Sequence, residues 1–146
     1  MSKKYQTFDV PQLENLHTPG AGYDILRYIG LPELFGEEKD TLLYFLGKNI
    51  ARKFNINTLE DIILFFEKSG WGTLELLKSK RKERVFQLLS DSIVLRLNSE
   101  MDTEFRLEAG FLAEAIQQIE GTECECVESI NKRIKQVEFL VHLTDE

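Results

Sequence analysis

Residues 107–143, LEAGFLAEAIQQIEGTECECVESINKRIKQVEFLVHL, decide the fold. The first half reads as a buried helix rich in small residues. Phe105, Ala109, Leu112, Ala115, Ile116 and Ile119 share one face, and Ala109 and Ala113 form a narrow stripe beside Gly110. Gly121 ends the helix, and two alternating segments joined by a basic turn then predict an antiparallel hairpin. Its register follows from burial. Val137, Phe139, Val141 and Leu143 form the apolar face of the last strand, and pairing them with Cys124, Cys126 and Ile130 gives one continuous apolar surface. That register sends His142 to the other face with Glu123 and Glu125. The alternative register gathers the thiols and His142 but exposes four large apolar side chains, each forfeiting roughly 1.5–3 kcal/mol. With no fourth ligand in view, the thiols are expected to be packed, and no metal site is expected. Glu128 falls on the cysteine side: either Arg106 on the preceding helix pairs with it, or the strand end leaves it in water.

Working outward, residues 104–121 form the last helix and residues 38–54 an earlier one. In the earlier helix Leu42, Leu43, Leu46, Ile50 and Phe54 recur at three- and four-residue steps, with Tyr44, Gly47 and Ala51 on an adjoining stripe. A helical glycine costs about 1 kcal/mol against alanine, so Gly47 implies a close approach, by another helix or by a ligand. Asn57 or Thr58 caps a very apolar helix that stops at Gly70, with Asp61 placed to return a bond, and Trp71 anchors the corner that follows. Residues 73–79 and 84–89 predict a strand pair, with Leu77 and Leu89 breaking the alternation. Residues 92–98 fit a further strand or a helical turn, the strand being preferred, and 98–103 a polar loop. Upstream, residues 1–19 are expected to be extended, with a turn at His17-Thr18-Pro19-Gly20. Ile25, Leu26 and Ile29 suit a short helix ending at Gly30, and Pro32 opens another through Phe35. Helices, a hairpin, a helix and a hairpin make an α+β domain over residues 20–146: N-terminal helices and a small-residue helix packed on an antiparallel sheet built from two hairpins.

The chain has 146 residues and a net charge of −7, which argues against nucleic-acid binding. There is no apolar run long enough for a transmembrane helix or secretory signal, so a cytoplasmic location is expected. Basic residues concentrate at two turns: Lys78, Lys80, Arg81, Lys82 and Arg84, then Lys132, Arg133 and Lys135. If both tips emerge at one end, they form a patch for an acidic protein or an anionic membrane surface. No serine elbow, phosphate-binding loop or histidine-based acid–base constellation supports catalysis.

FRLEAGFLAEAIQQIEG with the ECVES strand and KQVEFLV resembles the 4-vinyl reductase domain and the related TRAPP vesicle-tethering components; LLYFLGKNIARKF resembles their early helix. More closely, GYDILRYIGLPELFG, the Gly70-Trp71-Gly72-Thr73-Leu74 corner and Leu107-Glu108-Ala109-Gly110-Phe111 resemble the YslB-like family of largely uncharacterised proteins of Gram-positive bacteria. The resemblance implies a TRAPP-component-like α+β domain that dimerises through its helices and whose interior can admit a hydrophobic ligand. It brings no cofactor. The cysteine or histidine positions of the metal-bearing relatives correspond to Asn131 and Val137, no cysteine lies near residues 54–58 to carry an acyl group, and the haem-binding relatives' motifs are missing.

These readings lead to a non-enzymatic homodimeric adaptor or ligand-binding module, with Leu42, Leu46, Ile50 and Phe54 as the dimer surface. A first alternative is a carrier or sensor of an acyl-like molecule held by Tyr44, Gly47, Ala51, Phe111 and Ala115. A second, resting on the superfamily's name, is an enzyme of tetrapyrrole-related metabolism.

Overall fold

The computed structural model describes residues 8–15, 20–98 and 103–144. Most of the extended segment expected at residues 1–19, the turn at 17–20 and the polar loop at 98–103 lie outside the described residues. Phe8 is an exception: it makes a parallel bridge to Phe54, donating its N–H to the Lys53 carbonyl and accepting from Asn55 N–H. A short 3₁₀ helix, Val10–Asn15, follows.

The elements are α1 (Gly20–Ile25), a wide π-helical turn (Leu26–Gly30), α2 (Leu31–Phe35), a 3₁₀ turn (Gly36–Glu38), α3 (Lys39–Ala51), α4 (Leu59–Lys68), β1 (Thr73–Lys80), β2 (Glu83–Leu89), α5 (Asp91–Asn98), α6 (Arg106–Glu120), β3 (Cys124–Asn131) and β4 (Gln136–Leu143). The four strands form one antiparallel sheet in the order β1-β2-β4-β3. Thr58 caps α4 through a reciprocal box with Asp61, and Gly121 closes α6 in the left-handed region at φ 73°.

Register in the terminal hairpin is the apolar one. Cys124 faces Leu143, Cys126 faces Val141 and Ile130 faces Val137, while His142 lies between Glu125 and Glu83 on the opposite face. The inward side chains of this sheet meet α6, whose residues from Leu107 to Ile116 are all buried. Phe111 sits at the centre of an aromatic cluster. It stacks on Phe65 at 4.0 Å and lies edge-on to Phe66 and Trp71, so Trp71 anchors the core at its corner.

One element departs from expectation, and a break in alternation finds its cause. Residues 92–98 are not a strand; they lie in α5, because Ser90 Oγ accepts the Ile93 N–H and so starts a helix that turns Ile93 into the core. In β1 the broken alternation at Leu77 is a register shift between Leu76 and Lys78, the signature of a bulge on this edge strand.

Candidate functional site

The N-terminal helices are turned inside out relative to their sequence pattern. Ile25, Leu26 and Ile29, which by spacing should face the core, are 57%, 57% and 52% exposed, whereas Arg27 between them is 1% exposed. The cause begins with Pro32, which cannot donate to the carbonyl of residue 28 and whose ring would press on it. The chain widens instead of breaking: Leu31 N–H reaches back five residues to Leu26 O, and Gly30 stays helical where a stop was expected. Arg27 and Tyr28, inside this wide turn, are both buried.

Burying a guanidinium requires partners for every N–H. Arg27 finds them at the start of α6. Its Nε donates to Glu104 (3.0 Å). Nη1 donates to Glu108 (2.6 Å) and Tyr23 Oη (2.8 Å), and Nη2 donates to Glu108 (2.5 Å) and to the side chain and carbonyl of Glu104. Tyr23 Oη also accepts from Trp71 Nε1 at 3.2 Å. Glu104 accepts the Arg106 N–H of the first turn of α6, and both carboxylates lie where the helix dipole favours negative charge. Burial opposes the charge on Arg27, but Glu108 and the other partners outweigh it and hold the guanidinium more firmly protonated than usual. Burial pushes the Tyr23 phenol up. All five guanidinium donors are consumed inside the protein, so the cluster fixes structure and leaves the arginine nothing to offer a substrate. The three stretches that carry the closer resemblance, around Tyr23–Arg27, Trp71 and Glu108, are the ones brought together here.

The space assigned to a hydrophobic ligand is closed. α3 and α6 cross in backbone contact. A methyl group on Gly47 would strike the Leu107 carbonyl and sit 2.7 Å from Phe111 N, and one on Gly110 would strike the Tyr44 carbonyl. Ala51, Phe111 and Ala115 are fully buried, and Gln118 Nε2 donates to Ala51 O across the join. Tyr44, Gly47, Ala51, Phe111 and Ala115 therefore form a packed helix crossing, not the wall of a pocket. Tyr44 is occupied otherwise: its hydroxyl donates to Glu125 and accepts Cys126 N–H from the edge of β3, and its ring lies near Lys48 Nζ and the Arg106 guanidinium. Burial, then the bond to Glu125, raise its pKa. Arg106 forms a two-pronged pair with Glu128 at 2.8 Å, the partner expected from the sequence.

The thiols are packed, and no group of three or more His, Cys, Asp and Glu side chains among the described residues is placed to hold a metal. Burial pushes Cys124 up to about 11 and Cys126 well above the ordinary thiol range. A Cys124 pKa three units above the buffer leaves roughly a thousandth as thiolate at pH 8. Alkylation of the native protein by iodoacetamide at pH 8 should accordingly be at least a hundredfold slower than in denaturant. Equal rates would show that the hairpin is not packed as described.

Two other sequence expectations are corrected. Of Leu42, Leu46, Ile50 and Phe54, only Leu42 is exposed. The other three flank the helix crossing and pack on the core, because α6 lies over Leu43, Gly47 and Ala51 and draws the adjacent positions in. The large apolar side chains left outside in this region are Ile25, Leu26, Ile29, Leu34, Leu42 and Phe45. The basic residues do not form one patch. The β1–β2 turn, with Lys78, Lys80, Arg81, Lys82 and Arg84, adjoins the end of β4, where Leu143 N–H donates to Lys82 O. Lys132, Arg133 and Lys135 adjoin the start of β4, where Val137 faces Leu88 near the end of β2. A strand length, roughly 25 Å, separates the two tips. Arg84 is also paired with Glu120.

No helix among the described residues is long and apolar enough to cross a membrane. The chain is 34% identical over 141 residues to the uncharacterized protein YslB of Bacillus subtilis, covering 97% of this chain and 95% of that protein. It is 24% identical over 108 residues to the uncharacterized protein MJ1642 of Methanocaldococcus jannaschii, covering 73% and 65%. In structure it is similar to a vinyl-4-reductase family protein from Methanocaldococcus jannaschii, with a TM-score of 0.71, 17% identity and coverage of 93% and 88%. That likeness shows an α+β fold of the same kind. With residues 20–142 matching its pattern, the chain belongs to the family described as "Protein of unknown function (DUF2507)".

Proposed function

We propose that the protein is a non-enzymatic homodimeric adaptor whose interface is the outward apolar face of residues 25–45. The observation that carries this reading is the inverted N-terminal helix. Arg27 is held inside by two carboxylates while Ile25, Leu26, Ile29 and the 76%-exposed Leu34 are held outside. A short helix left to itself would bury its aliphatic side chains and solvate its arginine. Fixing the reverse arrangement with a costly buried ion cluster makes sense if the aliphatic face is covered in the working protein. A second copy is the favoured cover, because a two-fold interface pairs one patch with itself, which an uncharged aliphatic face permits without like-charge repulsion, and the fold resemblance implies dimerisation through helices. The closed α3–α6 crossing and the saturated guanidinium support an interaction role over a carrier or a catalyst.

Substituting Leu34→Arg together with Phe45→Arg tests it. Both side chains are exposed, so at concentrations where the parent is monomeric the thermal midpoint should stay within about 2 °C of the parent, while the dimer dissociation constant rises at least a hundredfold. In the parent, amide exchange across residues 25–45 should slow as concentration rises. Exchange independent of concentration, or an assembly indifferent to the two arginines, would place the interface elsewhere.

A further inference from the structure

At the sheet end that carries the β3–β4 turn, Thr73, Leu89, Ser90, Val94, Ile134 and Lys135 line a shallow, open cleft. Leu89, Val94 and Ile134 remain 37%, 39% and 57% exposed there, although they come from a strand end, a helix and a turn. Ile134 stands between Arg133 and Lys135. The left-handed backbone of Lys135 (φ 55°) tightens the turn, and its ammonium folds back to donate to Lys132 O. Lys132 and Arg133 are exposed and have no carboxylate partner among the described residues.

We infer that this cleft docks a short segment of a partner protein in which acidic residues flank a large apolar anchor. The three aliphatic side chains give the anchor a floor, and the three cations of the turn give the flanking carboxylates a rim of opposite charge. The other basic turn shows why both parts matter. It carries more cations, but the cleft beside it is lined by Arg81, Lys82, Thr122, Thr144 and the buried Leu143, and so has no open apolar floor. A lipid surface fits less well. A chain of net charge −7 is repelled by the extended charge of an anionic bilayer, whereas a short peptide meets only the cations within a screening length of about 8 Å. The inference stands whether or not the chain dimerises, since none of these residues belongs to the helical face.

Fluorescence anisotropy tests it with the full chain and a labelled peptide of leucines set among glutamates, against a control with lysines for the glutamates. The acidic peptide should bind with a dissociation constant on the order of 10–100 μM, and the lysine peptide at least tenfold more weakly. Lys132→Glu with Arg133→Glu, and separately Val94→Asp, should each weaken binding at least tenfold while the thermal midpoint and sedimentation coefficient stay unchanged. The inference is overturned by no saturable binding up to about 1 mM, by equal binding of the two peptides, or by affinities indifferent to the substitutions. Binding to phosphatidylserine vesicles in preference to the acidic peptide would reassign the cleft to lipid and overturn it equally.

Discussion

Gly110→Ala should cost at least about 3 kcal/mol of stability, the largest effect expected from adding a single methyl group to this chain. An alanine ordinarily strengthens a helix by about 1 kcal/mol over glycine. Here the new methyl meets the Tyr44 carbonyl group, with the carbonyl carbon 2.8 Å away and Tyr44 Cα 3.1 Å away. Backbone cannot swing aside as a side-chain tip can, so the two helices must separate, and overpacking of well-filled cores already costs about 1–3 kcal/mol when only side chains move. Gly47→Ala makes the reciprocal clash with the Leu107 carbonyl and should behave alike. For a chain of this length the loss corresponds to a fall of about 10 °C in melting temperature. Gly22→Ala in α1 supplies the control. Nothing lies within 4 Å of the new methyl, so that variant should match the parent or gain slightly. Calorimetry of the three variants decides the matter, and a Gly110→Ala protein as stable as Gly22→Ala would mean that α3 and α6 do not touch.

The second large effect is expected at Arg27. Arg27→Met leaves Glu104 and Glu108 facing each other in the protein interior, and removing one partner from a buried ion cluster costs about 3–5 kcal/mol. Much of that penalty belongs to the stranded carboxylates. Replacing all three residues together, Arg27→Met with Glu104→Gln and Glu108→Leu, should therefore recover a substantial part of it. Arg27→Lys keeps a charge but offers three N–H donors on one nitrogen in place of the five of the forked guanidinium, so it cannot reproduce the paired contacts to Glu104 and Glu108 and should fall between parent and methionine variant. Denaturant unfolding measures each of these. Because the cluster orients the π-helical turn, Arg27→Met should also weaken dimerisation, even though Arg27 itself is buried. A methionine variant within 1 kcal/mol of the parent would deny the cluster its role.

Much of the fold is legible in the sequence because short-range rules govern it. The hairpin register follows from the apolar set Val137, Phe139, Val141 and Leu143, and with it come the inward thiols, the outward His142 and the Arg106–Glu128 pair. The Thr58–Asp61 capping box and the Trp71 corner are read in the same way. α5 is misread because Ile93, Val94 and Leu95 suggest a strand, while Ser90 as a helix start is the signal that would have corrected it. The candidate site is harder to read for a physical reason. Periodicity assigns Ile25, Leu26 and Ile29 to the core, and only partners 77 and 81 residues away reverse that assignment. The available hints are Tyr23 one helical turn before Arg27, Pro32 five residues after it, and Glu104 and Glu108 one turn apart at the start of a helix rich in small and apolar residues. Gly47 alone fits either a helix contact or a ligand wall, and Gly110 facing it across the crossing resolves the ambiguity.

The central claim is that the arginine cluster holds an apolar helical face outward for a second copy of the chain to cover. Sedimentation equilibrium of the parent protein from about 1 to 100 μM tests it most directly. The expected result is a reversible dimer of twice the 17.0 kDa chain mass, shifted towards monomer in the Leu34→Arg, Phe45→Arg variant. A single 17.0 kDa species across the whole range would contradict it.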